Sequence, residues 1–521
     1  MADLEKQYYE THTSDADEKL QKIDVTISES SETQRENQVS KEISLTSRIL
    51  VGLSQWGVEL QGITPIPLEQ RTDRRMWQMF FVWFSANANV LTLGAGTVGP
   101  AFFGLGILDS FWVILVVDFI VCAFPACFAV FGPKLGTRAM VQSRFSWGCY
   151  GAIIPSILNA ISMQGYLIIN SIVGGQTLAS VSGHLSDSVG IVIIGLISLV
   201  VVFCGYRVLH WYETIAWIPN VIAFIVMISV GGKHLIAAPL SNPTPVPASA
   251  LLTFGSTLAA TVISWSPITP DYGVYHNAQA SNFRIFIYAY LGFLVSSIPA
   301  HMMGAAFTAA SFSIPEWQAG LGNGNDVGDL IAAILQPAGG FGKFLLVLLA
   351  LTTPSACAPT MYTVCTSLMT ISPVFARIPR FVIAIVSTAI LIPVAIVCDK
   401  RFYATFVQIL SFIGYWLAPF TAIILVEHIL YRQATWSSYK VQSSWNKPNR
   451  LPKGFAAITT FIITIGIIVL CMEQEWWTGP IARSGAETPN LNRCNILTLE
   501  IFVFLSRMYD YHRDLQGSLQ L

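Results

Sequence analysis

The chain has 521 residues, of which 53% are hydrophobic and 11% charged, with a formal net charge of −1. Its mean hydropathy is +0.57. A soluble protein of this length carries roughly 25% charged residues, so a soluble globular enzyme is excluded, and the balanced charge offers no basic face for nucleic acid. The nine cysteines follow no paired spacing and lie mostly in or beside apolar runs, which argues against a disulfide framework or a metal site.

Residues 1–75 are polar and include the run SESSETQRENQVSKE. They have no apolar segment of signal-peptide type and are expected to form a mostly disordered cytoplasmic tail. Beyond them the apolar runs are about 18–26 residues long, enough to cross a bilayer at 1.5 Å per residue. Spans are expected at about 78–98, 109–131, 150–177, 187–205, 213–232 and 249–268. They continue at about 284–308, 343–369, 380–398, 404–429 and 454–473, with a short twelfth stretch at about 495–506. Basic residues test this map. Arg71, Arg74 and Arg75 precede the first span, and Lys134, Arg138 and Arg144 follow the second. Arg207, Arg284, Arg377 with Arg380, and Arg432 to Lys453 mark every second connection thereafter; Lys400 and Arg401 break the rule. The positive-inside rule places these connections and the N-terminus in the cytoplasm. Residues 76–430 are thus expected to form a ten-helix core, and 431–521 a cytoplasmic loop with one or two peripheral helices.

Two spans carry helix breakers. The first reads FSANANVLTLGAGTVGP, with Gly94, Gly96, Gly99 and Pro100 in its second half, and the sixth runs into ISWSPITPDYGVYHN, broken by Pro267, Pro270 and Gly273. Irregular backbone survives at membrane depth only where it lines a cavity or a site. Interrupted segments at matching places in two halves point to a transporter's substrate site. Scattered kinks from common prolines and glycines are the plain alternative.

Several long motifs then become familiar. FGPKLGTRAMVQSRFSWGCYGAIIPSILNAIS at 131–162, GYRVLHWYETIAWIP at 205–219, WSPITPDYGVY, the IGYW of 413–416 and WWTGPIA near Trp476 occur in order. They resemble the fungal purine–cytosine permeases, members of the nucleobase–cation symporter family that includes the bacterial hydantoin transporter. The resemblance covers about residues 60–483 and stops there. It implies an all-α polytopic fold: a five-plus-five inverted-repeat core with broken helices 1 and 6 and about two further helices. It also implies import of purines, cytosine or related heterocycles with a cation, usually a proton; fungal relatives carry vitamin B6. The implied location is the plasma membrane.

Site residues follow from the match. Trp265 is expected to stack on a flat ring and Ser266 to hydrogen-bond it. Tyr166, where relatives have tryptophan, and Asn170 lie four residues apart on one helical face. Ser85 matches a serine near the substrate. In the eighth span SACAPTMYT places Ala356 and Cys357 where relatives have an asparagine pair, so Cys357 takes a substrate-facing position and the specificity is expected to shift. Asp118, Glu213, Asp271 and His301 are the candidates for carrying the coupled proton. A sodium site of main-chain carbonyls and hydroxyls such as Ser355 stays open. No cofactor is implied, and the oligomeric state is not legible. No HExxH, GxSxG or Cys/His cluster supports a membrane enzyme. A non-transporting sensor is the remaining alternative class.

Overall fold

A computed structural model describes residues 62–486 except 204, 242–244, 323–324 and 475–476; for 203, 205–214, 473 and 484–486 it describes the backbone alone. The expected tail up to residue 61, the Glu213 side chain, Trp476 and the stretch at 495–506 lie outside the described residues.

The first span is α1 (Trp77–Asn87) and α2 (Val90–Phe103), the second α3 (Ile107–Val121) and α4 (Ala123–Leu135). A connecting α5 (Ala139–Gly151) leads to the third span, α6 (Ile153–Ala179), followed by α7 (Asp187–Phe203) and α8 (Gly205–Ala237). The sixth span is α9 (Ala248–Ile263) and α10 (Thr269–Gly273), and the seventh is α11 (Asn282–Ser311). Short α12 (Pro315–Gly320) and α13 (Val327–Leu335) lead to the eighth span, α14 (Gly339–Ile371). Next come α15 (Pro373–Arg377) and the ninth and tenth spans, α16 (Arg380–Cys398) and α17 (Phe402–Val426). After α18 (Val441–Ser444) the eleventh span is α19 (Phe455–Cys471), then a hairpin of β1 (Glu473–Gln474) and β2 (Trp477–Thr478), and α20 (Pro480–Ala486).

Among the described residues, six helical segments are long and apolar enough to cross a membrane. The shorter apolar helices include Val90–Phe103 and Ala248–Ile263, which are halves of the two interrupted spans. Large apolar side chains stay exposed on the outside, among them Trp112, Phe119, Ile225 and Val386. Apolar faces of this extent would be untenable in water and fit a lipid boundary.

Both interruptions have a local cause. At Ala88 the chain leaves helical geometry, and Asn89 is extended with its side-chain oxygen accepting from the Thr92 N–H at 2.9 Å. That is an N-cap restarting the helix within one span. In the sixth span Ser264 to Ile268 turn before α10 starts at Thr269, with Pro270 in its first turn. Small residues let backbones meet elsewhere: a Cβ on Gly96 would lie 2.0 Å from the His301 carbonyl oxygen, and one on Gly304 1.9 Å from that of Leu93. The α2 and α11 helices are therefore in main-chain contact.

Two features move expected boundaries. The folded body starts before residue 75, because Ile66 is buried and Arg71 donates to the Ile66, Pro133, Lys134 and Leu135 carbonyls at 2.9–3.3 Å. The arginine thereby satisfies the open carbonyls at the end of α4. And α5, α12 and α13 occupy stretches read from sequence only as connections. Asp271 of α10 accepts from the Ala139 N–H at 2.7 Å and from the Thr366 hydroxyl at 3.1 Å, joining α5, α10 and α14.

Candidate functional site

Where the two interruptions face each other, a cavity opens with about 400 Å³ of unfilled space including its mouth. The first span contributes Asn87, Asn89 and Thr92, the third Tyr166 and Asn170, the sixth Thr261 and Trp265. Ala356 and Thr360 of α14 and Phe406 of α17 complete the polar and aromatic part of the wall.

Trp265 belongs to an aromatic cluster: its ring centroid is 5.9 Å from that of Trp83 and 6.4 Å from that of Phe293. Stacking of Trp83 on Phe293 at 5.1 Å backs this cluster. The Tyr166 hydroxyl donates to the Thr261 carbonyl at 3.0 Å and accepts from the Ser264 hydroxyl at 2.9 Å. Its polar end is used up on the turn of the sixth span, which leaves its ring as the surface available to a ligand. The Asn170 amide donates to the Tyr166 carbonyl at 3.0 Å, while its buried side-chain oxygen has no hydrogen-bond partner among the described residues. A buried acceptor without a partner costs about 1–3 kcal/mol, so a ligand donor here recovers a real penalty.

Three expected contacts lie off the wall. Ser85, Ser266 and Cys357 are each buried beside a lining residue, Ala86, Trp265 and Ala356 respectively. For Cys357 the cause is helical: one residue along a helix turns the side chain by about 100°, so Ala356 takes the wall position and Cys357 does not. Ala356 presents a methyl group where Cys357 was expected to reach. Phe406 and Thr261 were missed; Phe406 sits in a span without a break, so only tertiary packing reveals it. The N-cap pattern of Asn89 before an apolar run was readable.

Of the proton candidates, Asp271 is committed to the hydrogen bonds described above. Asp118 of the second span and His301 of the seventh, with four spans between them in sequence, meet: Oδ2 and Nδ1 are 2.8 Å apart and both side chains are fully buried. Among the described residues, the Asp118 Oδ1 and His301 Nε2 atoms have no partner.

At the end of the bundle away from most basic loops, Asp326 caps α13 by accepting from the Asp329 N–H at 2.8 Å. Burial pushes its carboxyl up to about 7; the Asp329 N–H opposes this, and the charges of Asp329, Asp187 and Asp399 add to it. A carboxyl raised in the folded state gives stability that is complete below its unfolded value, near 3.8, and is lost as pH rises through about 7. The melting temperature in detergent should therefore be lower at about pH 8 than at about pH 5. Asp326→Asn, which keeps a capping oxygen, should remove most of that difference, on the order of 2–4 kcal/mol. Equal slopes for both proteins would contradict this.

Residues 65–485 match the family described as permease for cytosine/purines, uracil, thiamine, allantoin. The chain belongs to this cytosine/purine permease family. It is 32% identical over 438 residues to a purine-cytosine permease of Emericella nidulans, covering 83% of this chain and 85% of that one. It is 25% identical over 483 residues to a vitamin B6 transporter of Saccharomyces cerevisiae, 83% of each chain being covered. Its fold is similar to inward-facing Mhp1, with a TM-score of 0.63 and 16% identity over 88% of this chain and 96% of that one. A closed Mhp1, described as a nucleobase-cation-symport-1 family transporter with bromovinylhydantoin bound, gives 0.60 at 17% identity over 86% and 94%.

The protein is thus a helical polytopic membrane transporter and not an enzyme, built on the inverted-repeat architecture with its first and sixth helices broken. The cavity wall carries tyrosine at 166, alanine at 356 and threonine at 360, the positions at which the resemblance led one to expect a changed specificity.

Proposed function

We propose that the protein imports a purine base, cytosine or a closely related flat heterocycle across the plasma membrane, together with a proton and by alternating access. The observation that carries this reading is the cavity itself. It combines the Trp265 and Tyr166 rings with a buried Asn170 oxygen that has no partner among the described residues. A nucleobase offers π faces to such rings and N–H donors to such an oxygen. The 32% identity to a purine-cytosine permease supports the substrate class. The two interruptions support alternating access, because half-helices can tilt independently around a fixed site. The basic loops at one end support a cytoplasmic N-terminus.

Calorimetric titration of the purified protein tests the substrate class. The panel is adenine, guanine, hypoxanthine, cytosine, uracil and pyridoxine. Saturable binding of a purine or cytosine is expected. Binding of pyridoxine alone would move the substrate to vitamin B6, the ligand named for the 25% identical relative. Binding of no member of the panel would overturn the proposal.

A further inference from the structure

The Asp118–His301 pair does not line the cavity, but the helix that carries His301 packs against a helix that does. The His301 carbonyl abuts Gly96 of α2, and the next residue back, Ala95, lines the cavity. The half-helix that forms part of the substrate wall therefore touches the main chain of the residue whose imidazole belongs to the buried pair. We propose that this pair is the proton-carrying site of the transporter, with α2 as the element linking it to the substrate; this rests on the import reading above.

The chemistry is a single reversible protonation. A proton from water adds to the imidazole nitrogen to give an imidazolium–carboxylate pair of zero net charge. Its return to water leaves a neutral imidazole and a carboxylate, with net charge −1. No other bond forms or breaks. An uncompensated charge in a fully buried site is costly, so the deprotonated pair needs water. The unpartnered Asp118 Oδ1 and His301 Nε2 atoms are where water would bind once α2 and α11 move apart. Exchange of the proton is thereby tied to motion of the same half-helix that forms the substrate wall.

The surroundings are suited to this. The helices α1, α2 and α9 contain no titratable residue. Cys122 faces the Asp118 carboxylate, and beyond it the Tyr290 hydroxyl donates to the Phe119 carbonyl at 2.8 Å. From α4 come Cys127 and Lys134, the latter bound to the Ala278 and Ala280 carbonyls at 2.8 and 2.6 Å. Lys233 and His234 sit near the end of α8, His234 against Trp317 at 5.2 Å, and α12 carries Glu316.

The test reconstitutes full-length wild-type, Asp118→Asn and His301→Gln proteins in liposomes and follows radiolabelled adenine and cytosine. Two readouts are taken: exchange at equal pH, and accumulation driven by an inward gradient of about one pH unit. One proton per substrate supports up to about tenfold accumulation under that gradient. The wild type should show both activities. Each variant should keep exchange within about threefold while its accumulation ratio falls to about one. Wild-type accumulation in both variants would overturn the pair's role and leave the transport reading intact. Loss of exchange along with accumulation in both variants would make the pair structural and also overturn the inference. A wild type that neither exchanges nor accumulates would overturn the import reading, and this inference with it.

Discussion

Replacing Trp265 by leucine should reduce nucleobase uptake at limiting substrate by roughly 5- to 150-fold, the equivalent of about 1–3 kcal/mol for losing one base–aromatic stack. Leucine is chosen because Trp265 also packs near Trp83 and Phe293. Alanine would open a void as well as remove the ring, and large-to-small changes of that kind cost about 3–5 kcal/mol of stability. Leucine fills part of the volume without a π face. Trp265→Phe keeps a smaller face and should retain a larger share of activity than Trp265→Leu. Uptake normalised to surface-exposed protein gives the comparison. If the leucine variant matched the phenylalanine variant, Trp265 would be packing material and not a stacking partner.

Gly304→Ala and Gly96→Ala should each sharply reduce the folded protein. The added methyl groups would lie 1.9 Å from the Leu93 oxygen and 2.0 Å from the His301 oxygen. Both obstacles are main-chain atoms of the facing helix, so a side-chain rotation cannot relieve them; α2 and α11 would have to separate. Overpacking costs about 1–3 kcal/mol in typical cores and occasionally more, and a main-chain collision belongs at the upper end. The matched control is Gly466→Ala, where an added Cβ meets nothing within 4 Å. There alanine should be neutral or stabilising by up to about 1 kcal/mol from helix propensity. Melting temperature and the monodisperse fraction in detergent read both effects. Equal behaviour of all three variants would contradict the close packing of the first and seventh spans.

Much of this architecture is legible from spacing alone. The third span, expected at about 150–177, forms Ile153–Ala179, and the ninth, expected at 380–398, forms Arg380–Cys398. Apolar length is a strong signal because the bilayer sets it. The interruption of the sixth span was legible for a related reason, since prolines and polar residues at membrane depth need an explanation; that of the first was expected at Gly94 to Pro100, which instead lie inside α2, and falls at Ala88 and Asn89. The short helices α5, α12 and α13 were not, because they obey no length rule and depend on partners such as the Asp271 carboxylate that caps Ala139.

The site divides in the same way. Tyr166 and Asn170, four residues apart, both line the cavity, as do Ala356 and Thr360 at the same spacing. Periodicity identifies such faces, but it does not fix their phase. Choosing Cys357 over Ala356 is an error of one residue and about 100° of helix. The meeting of Asp118 with His301, 183 positions apart, lies beyond any local pattern, and so does the arrival of Phe406 at the cavity.

The most direct test of the account is uptake of radiolabelled adenine, hypoxanthine, guanine and cytosine in yeast cells lacking their own purine and cytosine permeases, with and without a proton uncoupler. Saturable uptake of at least one of these bases, abolished by the uncoupler, is the predicted result. Surface-exposed protein with no uptake of any of them above the empty-vector control would contradict it.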